Sequence, residues 1–275
     1  MTNVLKLGGG AGVDHDSVLR NLAARAQAGE RWVLVHGASA AADALAEQVG
    51  YPPRTLTTPG GHTSRHTDAR TLEIFSAAVG AVNQRLVAAL LRGGAPAVGL
   101  SGPNVLRAKR HHAIRAVRDG RQFVVRDDYS GAITSVDGDL LRTLLDAGYL
   151  PVVGPLALGI EHERLNVDGD LAAAHVAQAL QASTLIILSN VPGLLRNASD
   201  PGSLISSFSI SDLPRYAGFA AGRMKKKLLA AETALADLSP VGRVILADSR
   251  LHNPLDAALA GAGTHITRSA AYAHA

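Results

Sequence analysis

The sequence predicts an α/β protein whose open, mainly parallel sheet is covered by helices on both faces, an α/β/α sandwich. The first observation is a repeated order: a short apolar run, then a Gly-containing turn, then an Ala- and Leu-rich amphipathic segment. That order is typical of βαβ units, which build parallel sheets. The second observation is composition, since 47% of the 275 residues are hydrophobic and 18% are charged. Such a chain can bury a large core and is globular rather than disordered.

The predicted strands and helices alternate along the chain. Strands are expected at residues 4–7, 32–35, 97–100, 149–153, 184–188, 243–247 and 265–267. The first helix begins after Asp14 or Asp16, both good N-cap residues, and ends at Gly29. Further helices are expected at residues 41–49, 67–92, 139–147, 170–180 and 223–236. We divide this series into two lobes, residues 1–160 and residues 161–275.

One mid-chain segment breaks this order and predicts a β-hairpin. Two strand-like runs flank Asp119-Gly120, which favours a two-residue type I′ turn because both central residues need positive φ. We expect this segment to protrude as a flap rather than to join the core. It is strongly basic, with Lys109, Arg110, Arg115, Arg118, Arg121 and Arg126.

Composition narrows the function classes. The chain has no cysteine, which excludes disulfides and Cys-ligated metals and makes the cytoplasm the expected compartment. Gly, Pro or charge interrupts each apolar run before about 18 residues, so no membrane span is expected. The net charge of +4 suits a phosphate-rich substrate or an acidic protein partner. With 4% aromatic residues, base-stacking platforms are scarce, and a nucleic-acid-binding protein is the weaker alternative.

The first strand carries Lys6 and runs directly into the glycines of residues 8–12. This stretch is neither a Walker loop, in which lysine follows the glycines, nor a Gly-x-Gly-x-x-Gly loop, because position 13 is Val. In open α/β sheets, ligands bind at the carboxyl ends of the strands. We therefore interpret Lys6 as an anion-binding residue, the alternative being a lysine that snorkels from a strand end.

A second glycine turn, Gly37-Ala38-Ser39, follows the second strand and opens a helix. Unpaired N–H groups at a helix N-terminus attract anions, although an ordinary βα loop has the same appearance. If the φ angle of Ala38 is negative, its N–H group can serve an anion without strain. A positive φ would strain Ala38 by about 1 kcal/mol or more.

The segment PGGHTSRHTD, residues 59–68, places Arg65 in a Gly-rich loop just before a helix. A guanidinium there can hold a carboxylate by two hydrogen bonds. His62 and His66 are four residues apart, a spacing found in metal sites, but a third ligand and the Glu of a His-Glu-x-x-His motif are lacking. We therefore predict no metal site.

Three further groups of polar residues adjoin apolar elements. Asn166, Asp168 and Asp170 form a tight cluster in which Asp168 is explained as a helix N-cap. The strand at residues 184–188 ends in a loop of the kind that holds a nucleotide, with Ser189, Asn190 and Gly193. Lys225, Lys226 and Lys227 begin a helix, where positive charge opposes the dipole. That placement indicates an anionic partner such as phosphate, unless the lysines form a solvated basic face.

The ordered series KLGGG, VHGAS, SRHTD, NVDGD, LSNVPGLL and GRMKKK resembles the amino acid kinases, which include acetylglutamate kinase and aspartokinase. The segment GYPPRTLTTPGGHTSRHTDARTLEIF and the basic hairpin are most similar to the branch that acts on amino acids carried by LysW, a small acidic carrier protein. This resemblance implies ATP-dependent phosphorylation of the side-chain carboxylate of [LysW]-2-aminoadipate, and of [LysW]-glutamate in some members, for lysine or arginine biosynthesis. The alternative is an N-acetylglutamate kinase that acts on the free molecule.

The resemblance also implies roles for individual residues. Lys6 and Lys227 would flank the transferring phosphoryl group, with Lys227 selected by the Met-x-x-Lys spacing from Met224, and Asp170 would orient both lysines. Gly8, Gly9 and Gly37 would offer N–H groups, and Gly37, Ala38, Arg65 and Asn166 would contact the substrate. Ser189, Asn190 and Gly193 would bind ATP, which brings Mg²⁺, and the N-terminal lobe would form a homodimer. The carrier would dock on Lys109, Arg110, Arg115, Arg118 and Arg121.

Overall fold

A computed structural model of the chain describes residues 1–61, 63–236 and 239–268. Its main sheet has eight strands, and all neighbouring strands run parallel except one pair near an edge, the strands Arg243–Asp248 and Thr264–Thr267. The predicted open, mainly parallel sheet is confirmed. Across the sheet the order is β14 (Ser207–Ser209), β16 (Thr264–Thr267), β15 (Arg243–Asp248), β13 (Thr184–Ser189), β1 (Thr2–Leu7), β2 (Arg31–His36), β10 (Leu150–Val153) and β5 (Ala97–Leu100).

Two further sheets have four short strands each, and most of these strands were not predicted. One has the order β12 (Arg164–Asn166), β11 (Leu156–Leu158), β6 (Leu106–Arg110) and β9 (Gly131–Val136). The other has the order β4 (Thr63–Arg65), β3 (Thr55–Thr57), β7 (Ile114–Arg118) and β8 (Arg121–Val125). Strands of three residues show too little alternation to be recognised by pattern.

Helices form at all six of the predicted amphipathic segments, and three short helices of the described residues were not predicted. Asp14 caps the first predicted helix, since its side chain accepts from the Ser17 N–H group, and Gly29 follows its end at a φ of +84°. In the described residues the helices are α1 (His15–Gln27), α2 (Ser39–Gln48), α3 (Ala69–Arg92), α4 (Gly102–Val105), α5 (Gly138–Asp146), α6 (Gly169–Ala179), α7 (Leu213–Tyr216), α8 (Arg223–Ala234) and α9 (Pro254–Leu259).

Side chains of β1 alternate between the two faces of the main sheet, as the period of a strand requires. Leu5 and Leu7 pack in the core formed with α1, α2, α3 and α9. Val4 packs in the other core, formed with α5, α6 and α8. Lys6 is two residues from Val4 and therefore points to the same side, toward α6 and α8.

The long helix α3 is apolar enough to cross a membrane by length and composition alone. In this fold it packs along the sheet instead, in contact with α1, α2 and β5. Its buried residues recur at the three- and four-residue spacing of one helix face, which is how a core helix behaves. They include Leu72, Phe75, Val79, Val82, Leu86 and Leu90.

The predicted hairpin is present, and its turn has the expected geometry. Asp119 and Gly120 have φ angles of +52° and +74°, as a type I′ turn requires. The hairpin is also more than a protruding flap, because β7 pairs with β3 as well. Leu56, Ala116 and Val125 are buried between these strands, so the hairpin is half of a small sheet with its own core.

The division into lobes at residues 1–160 and 161–275 remains a prediction. The main sheet itself is continuous, since β1 pairs with β2 on one side and with β13 on the other.

Candidate functional site

The two glycine turns meet at the carboxyl edge of the main sheet. The Gly8 N–H group donates to the carbonyl of Leu188 and the Gly37 N–H group donates to that of Leu7, at 3.0 and 2.9 Å. A Cβ atom on Gly37 would lie 2.6 Å from the Gly9 nitrogen, so only glycine permits this approach. The Gly8 and Gly37 amides are thus occupied within the fold, and a role for these two residues in binding phosphate or substrate remains a prediction.

Of the four predicted residues Gly8, Gly9, Gly37 and Ala38, Gly9 and Ala38 have amides that are available to an anion. Neither donates a hydrogen bond within the described parts of the chain. Ala38 has a φ of −142°, which an L-residue adopts without strain, and it is the N-cap of α2. The alanine in the second turn therefore preserves the N–H donor that this position can offer.

Lys6, Asp170 and Lys227 form a buried ionic triad. The Nζ atom of Lys6 lies 2.5 Å from Asp170 Oδ1, and the Nζ atom of Lys227 lies 3.1 Å from Asp170 Oδ2. Each side chain is less than 10% exposed. The three residues come from β1, α6 and α8, and one face of the sheet brings them together.

Electrostatic interactions within the triad keep the Asp170 carboxyl ionised. Burial alone would raise the pKa of the Asp170 carboxyl, but the Lys6 and Lys227 ammonium groups outweigh it and hold that pKa well below its usual range. Burial, together with repulsion from Lys6, lowers the pKa of Lys227, and Asp170 opposes this shift. Asp170 thus holds two like charges in one small volume.

The structure separates the three consecutive lysines. Lys227 is buried in the triad, Lys226 pairs with Asp168 Oδ2 at 3.0 Å, and Lys225 is exposed. Asp168 caps α6 as predicted, because its Oδ1 atom accepts from the Asp170 and Leu171 N–H groups. The spacing from Met224 therefore selects the lysine that lies beside Asp170.

Arg65 and Asn166 lie on different small sheets and are connected through Thr67. The Asn166 Nδ2 atom donates to Thr67 Oγ1 at 2.9 Å. The Arg65 guanidinium pairs with Asp43 on α2 at 2.6 Å. Arg65 is thereby held against the helix that the second glycine turn opens.

The predicted nucleotide residues occupy the end of β13 and the loop after it. Ser189 is the last residue of the strand, and Asn190 donates through Nδ2 to the Ala11 carbonyl at 3.2 Å, which ties this loop to the first glycine turn. Gly193 has a φ of +151° and is buried against Thr264. A nucleotide role for these three residues remains a prediction.

The predicted docking residues fall into two groups. Arg115, Arg118 and Arg121 are exposed on the hairpin, as expected. Lys109 and Arg110 are not on the hairpin, because the chain places them on β6 of the other small sheet. Lys109 is exposed there.

Arg110 already has partners inside the protein. Its Nε atom donates to the Asp128 carbonyl at 2.8 Å, and its guanidinium stacks 3.8 Å from the centre of the Tyr129 ring. These contacts fix the side chain on its own chain, which argues against its expected role in docking.

No metal site was predicted, and that expectation stands untested. Within the described ranges, no three His, Asp or Glu side chains are close enough to share a metal ion. His66 lies 3.2 Å from Asp127. His62 is outside the described residues.

Sequence reasoning missed His36, whose imidazole contacts the second glycine turn. His36 is fully buried, with Nδ1 3.2 Å from the Gly37 carbonyl and Nε2 3.1 Å from Asn83 Nδ2. Because the carbonyl only accepts, Nδ1 carries the proton and Nε2 accepts from the Asn83 amide. A lone histidine at a strand end gives no signal of this in the sequence.

Burial is the main cause that lowers the pKa of His36 from 6.5 to about 4. Between these values the unfolded chain binds a proton that the folded chain does not, so stability falls as pH falls. We expect His36 to contribute about 2 kcal/mol to the loss of stability between pH 7 and pH 5. Urea unfolding of wild type and His36→Asn at both pH values measures this, and equal pH slopes would contradict it.

Arg223 was also missed. Its guanidinium lies over the first glycine turn, where a Cβ atom on Gly10 would collide with Nη1. The side chain is exposed and forms no ion pair within the described chain. It adds a positive charge to the rim of the turn whose Gly9 amide is unpaired.

Comparisons with known proteins agree with this geometry. The model of a family described as the amino acid kinase family matches residues 1–243. The [LysW]-aminoadipate kinase of Deinococcus radiodurans is 47% identical over 96% of this chain and 91% of its own length. The [LysW]-aminoadipate kinase of Thermus thermophilus is 44% identical over 95% of this chain and 98% of its own.

Solved structures share the fold. N-acetylglutamate synthase from Neisseria gonorrhoeae aligns with a TM-score of 0.79 and 29% identity over 98% of this chain, which spans 60% of that longer protein. Carbamate kinase from Giardia aligns with a TM-score of 0.69 and 19% identity, over 98% of this chain and 99% of that one. The predicted α/β/α architecture is thereby confirmed.

Proposed function

The chain belongs to the amino acid kinase family, and on that basis we propose that it phosphorylates the side-chain carboxylate of 2-aminoadipate carried on a LysW-type protein, using ATP, in lysine biosynthesis. The observation that carries a phosphoryl-transfer function is the buried triad of Lys6, Asp170 and Lys227. Two relatives of nearly full length, both named [LysW]-aminoadipate kinase, favour this substrate over free N-acetylglutamate.

The chemistry requires that two anions react. A carboxylate oxygen of the substrate attacks the γ-phosphorus of ATP, a new O–P bond forms, and the bond to the ADP oxygen breaks with its electron pair. The products are an acyl phosphate and ADP. Little covalent chemistry is left for the protein, so positioning and charge stabilisation provide the rate.

Lys6 and Lys227 stabilise the charge on the transferring group from preorganised positions. The amides of Gly9 and Ala38 add two neutral donors at the same edge of the sheet. Asp170 does not act as a base, because the attacking carboxylate is already ionised at neutral pH. Its role is to hold the two ammonium groups, which agrees with its burial between them.

We propose that Mg²⁺ enters with ATP, bound to the phosphate oxygens. Within the part of the chain that the structure describes, no cluster of three acidic or histidine side chains would hold the ion by itself. When bound, the ion would neutralise further phosphate charge during transfer.

The hairpin surface is proposed to dock the carrier. Arg115, Arg118 and Arg121 are exposed on β7 and β8, and no carboxylate of the described chain pairs with them. Lys109, exposed on β6 of the other small sheet, is proposed as a further docking residue. An acidic carrier protein would meet complementary charge here, which accelerates association and fixes orientation.

Charge reversal tests this docking surface. We expect Arg115→Glu combined with Arg121→Glu to raise KM for the carrier-linked substrate by about tenfold at low salt, because repulsion replaces attraction. Wild type should show a KM that rises with ionic strength, since screening weakens the attraction.

The matched control is Arg20→Glu, an exposed arginine on α1, which should leave KM near the wild-type value. The KM for ATP should be unchanged in both variants. A flat response of KM to salt, together with no effect of the double reversal, would show that the hairpin does not dock the carrier.

Three finer features are also proposed. The enzyme is a cytoplasmic homodimer, with α3 as the pairing helix, and light scattering of the purified protein measures its mass.

It also accepts [LysW]-glutamate and so contributes to arginine biosynthesis. Comparison of kcat/KM for the two carrier-linked amino acids tests that extension.

The function itself is tested by trapping the acyl phosphate with hydroxylamine. The enzyme is mixed with ATP and, in parallel, with [LysW]-2-aminoadipate, [LysW]-glutamate or free N-acetylglutamate. We expect the hydroxamate to form with carrier-linked aminoadipate. Formation from free N-acetylglutamate alone would contradict the proposal and support the alternative kinase.

A further inference from the structure

A buried carboxylate that the proposed chemistry does not use lies where the two small sheets join. Asp128 stands in the turn between β8 and β9 and is fully buried. Its Oδ2 atom accepts from the Thr67 N–H group at 2.8 Å, and its Oδ1 atom accepts from the Ser130 N–H group at 2.7 Å. No cation of the described chain forms an ion pair with it.

One of the two amides that Asp128 binds, that of Thr67, belongs to the segment that carries Arg65, and the other, that of Ser130, lies in the turn of Asp128 itself, which pairs with Asn166. Thr67 follows Arg65 by two residues, and its hydroxyl donates to the Arg65 carbonyl at 3.3 Å. The same hydroxyl accepts from Asn166 Nδ2 at 2.9 Å. Arg65 and Asn166 are therefore each one hydrogen bond away from Thr67.

Backbone hydrogen bonds through Tyr129 also connect Thr67 with Asn166. The Tyr129 N–H group donates to the Thr67 carbonyl at 2.7 Å, and the Asn166 N–H group donates to the Tyr129 carbonyl at 2.8 Å. Ser130 also forms an isolated parallel bridge with Asn166. The Asp128 side chain binds the Thr67 amide and, in its own turn, the Ser130 amide, and so joins the Thr67 segment to this turn.

We infer that Asp128 is a positioning residue that fixes the distance between Arg65 and Asn166, and so orients the amino-acid portion of the substrate. This inference rests on the proposed function, which assigns those two residues to the substrate. A buried carboxylate without a counter-ion depends on its hydrogen bonds, and water cannot replace them.

The position of Asp128 also connects the substrate residues to the hairpin. Strand β8 ends at Val125, three residues before Asp128, and β4 with Arg65 belongs to the same small sheet as the hairpin. A carrier bound to the hairpin would therefore be held in a fixed relation to Arg65 and Asn166.

Asp128→Asn tests this inference. An asparagine has the same shape, but one of its two terminal atoms is an NH₂ group, which cannot accept from an amide. We expect KM for the carrier-linked substrate to rise by about tenfold, the size expected for one lost hydrogen bond to a charged group. The KM for ATP should stay within about twofold, because the nucleotide residues lie outside this network.

The matched control is Asp127→Asn, the neighbouring carboxylate, whose side chain is 70% exposed. It should leave both KM values within about twofold of wild type. Equal increases in the two KM values of Asp128→Asn, or no increase in either, would overturn the inference.

Thr67 supplies a second test that does not depend on the stability of Asp128→Asn. Thr67→Val removes the hydroxyl that receives Asn166 and should also raise KM for the carrier-linked substrate. Thr67→Ser keeps that hydroxyl, so its KM for the carrier-linked substrate should stay near the wild-type value. If Thr67 had a purely packing role, valine would be the milder change. If wild type is active and Thr67→Val and Thr67→Ser have the same KM for the carrier-linked substrate, only this inference is overturned. If wild type itself does not phosphorylate the carrier-linked substrate, the proposed function is overturned.

Discussion

Replacing Lys6 by alanine is expected to lower kcat by about 100-fold or more, the size found when one preorganised donor to a transition-state charge is removed. Lys6 lies 2.5 Å from Asp170 and is buried, so its charge is fixed before the substrate arrives. Such a charge contributes most when the phosphoryl group is in transit. The KM for ATP should therefore change less than kcat.

The control for Lys6→Ala is Lys225→Ala, which removes an exposed lysine at the start of α8 and should leave kcat near the wild-type value. Hydroxamate trapping at saturating substrate measures both variants, and circular dichroism shows whether each is folded. A folded Lys6→Ala protein with nearly normal kcat would remove Lys6 from the catalytic machinery and with it the central assignment of this site.

The main sheet was predictable because its strands are buried on both faces and its helices are long. The runs that became β1, β2 and β13 each have several consecutive or nearly consecutive apolar residues, and each is bounded by glycine, polar residues or charge. The small sheets gave no comparable signal, since β3 and β4 have three residues each with mixed exposure. Their pairing depends on distant partners, which local pattern does not contain.

The site residues likewise fall into those that the sequence predicted and those that it did not. Lys6 and Lys227 were recognisable because each is a misplaced charge, one at the end of an apolar strand and one in the first turns of a helix. The capping role of Asp168 left Asp170 unexplained, and the role of Asp170 between the lysines came from the resemblance to the amino acid kinases. Asp128 and His36 were not recognisable, because each depends on a distant residue, Asp128 on the Thr67 amide and His36 on the Asn83 side chain, and such contacts exist only in the folded chain.

The sequence left the sign of the Ala38 φ angle open. The pattern of the second turn permitted either sign of φ, and the two signs had opposite consequences for the amide. The observed φ of −142° leaves the N–H group unstrained and unpaired. Glycine is required instead at Gly9 and Gly37, where the two turns touch through their backbones.

Replacing Asp170 by asparagine is expected to impair stability and catalysis together. Without the carboxylate, the Lys6 and Lys227 ammonium groups repel each other in a buried volume, and the pKa of Lys227 falls further. We expect the free energy of unfolding at pH 7 to drop by about 3 kcal/mol, as when one partner of a buried ion pair is removed. We also expect kcat to fall by about 100-fold or more, because neither lysine keeps its position.

The pH dependence separates this charge effect from simple loss of packing. The pKa of Asp170 in the folded protein lies below its ordinary value of 3.8, so its stabilisation is complete above about pH 4 and is lost as pH falls toward the folded value. Urea unfolding should therefore show a gap between wild type and Asp170→Asn that is full at pH 7 and narrows below pH 4. The exposed Asp139, 93% accessible in its pair with Arg142, is the control, and Asp139→Asn should change stability by less than about 0.5 kcal/mol. A gap that stays constant down to pH 2 would mean that Asp170 contributes shape rather than charge, and Lys6 and Lys227 would then need another explanation for their shared position.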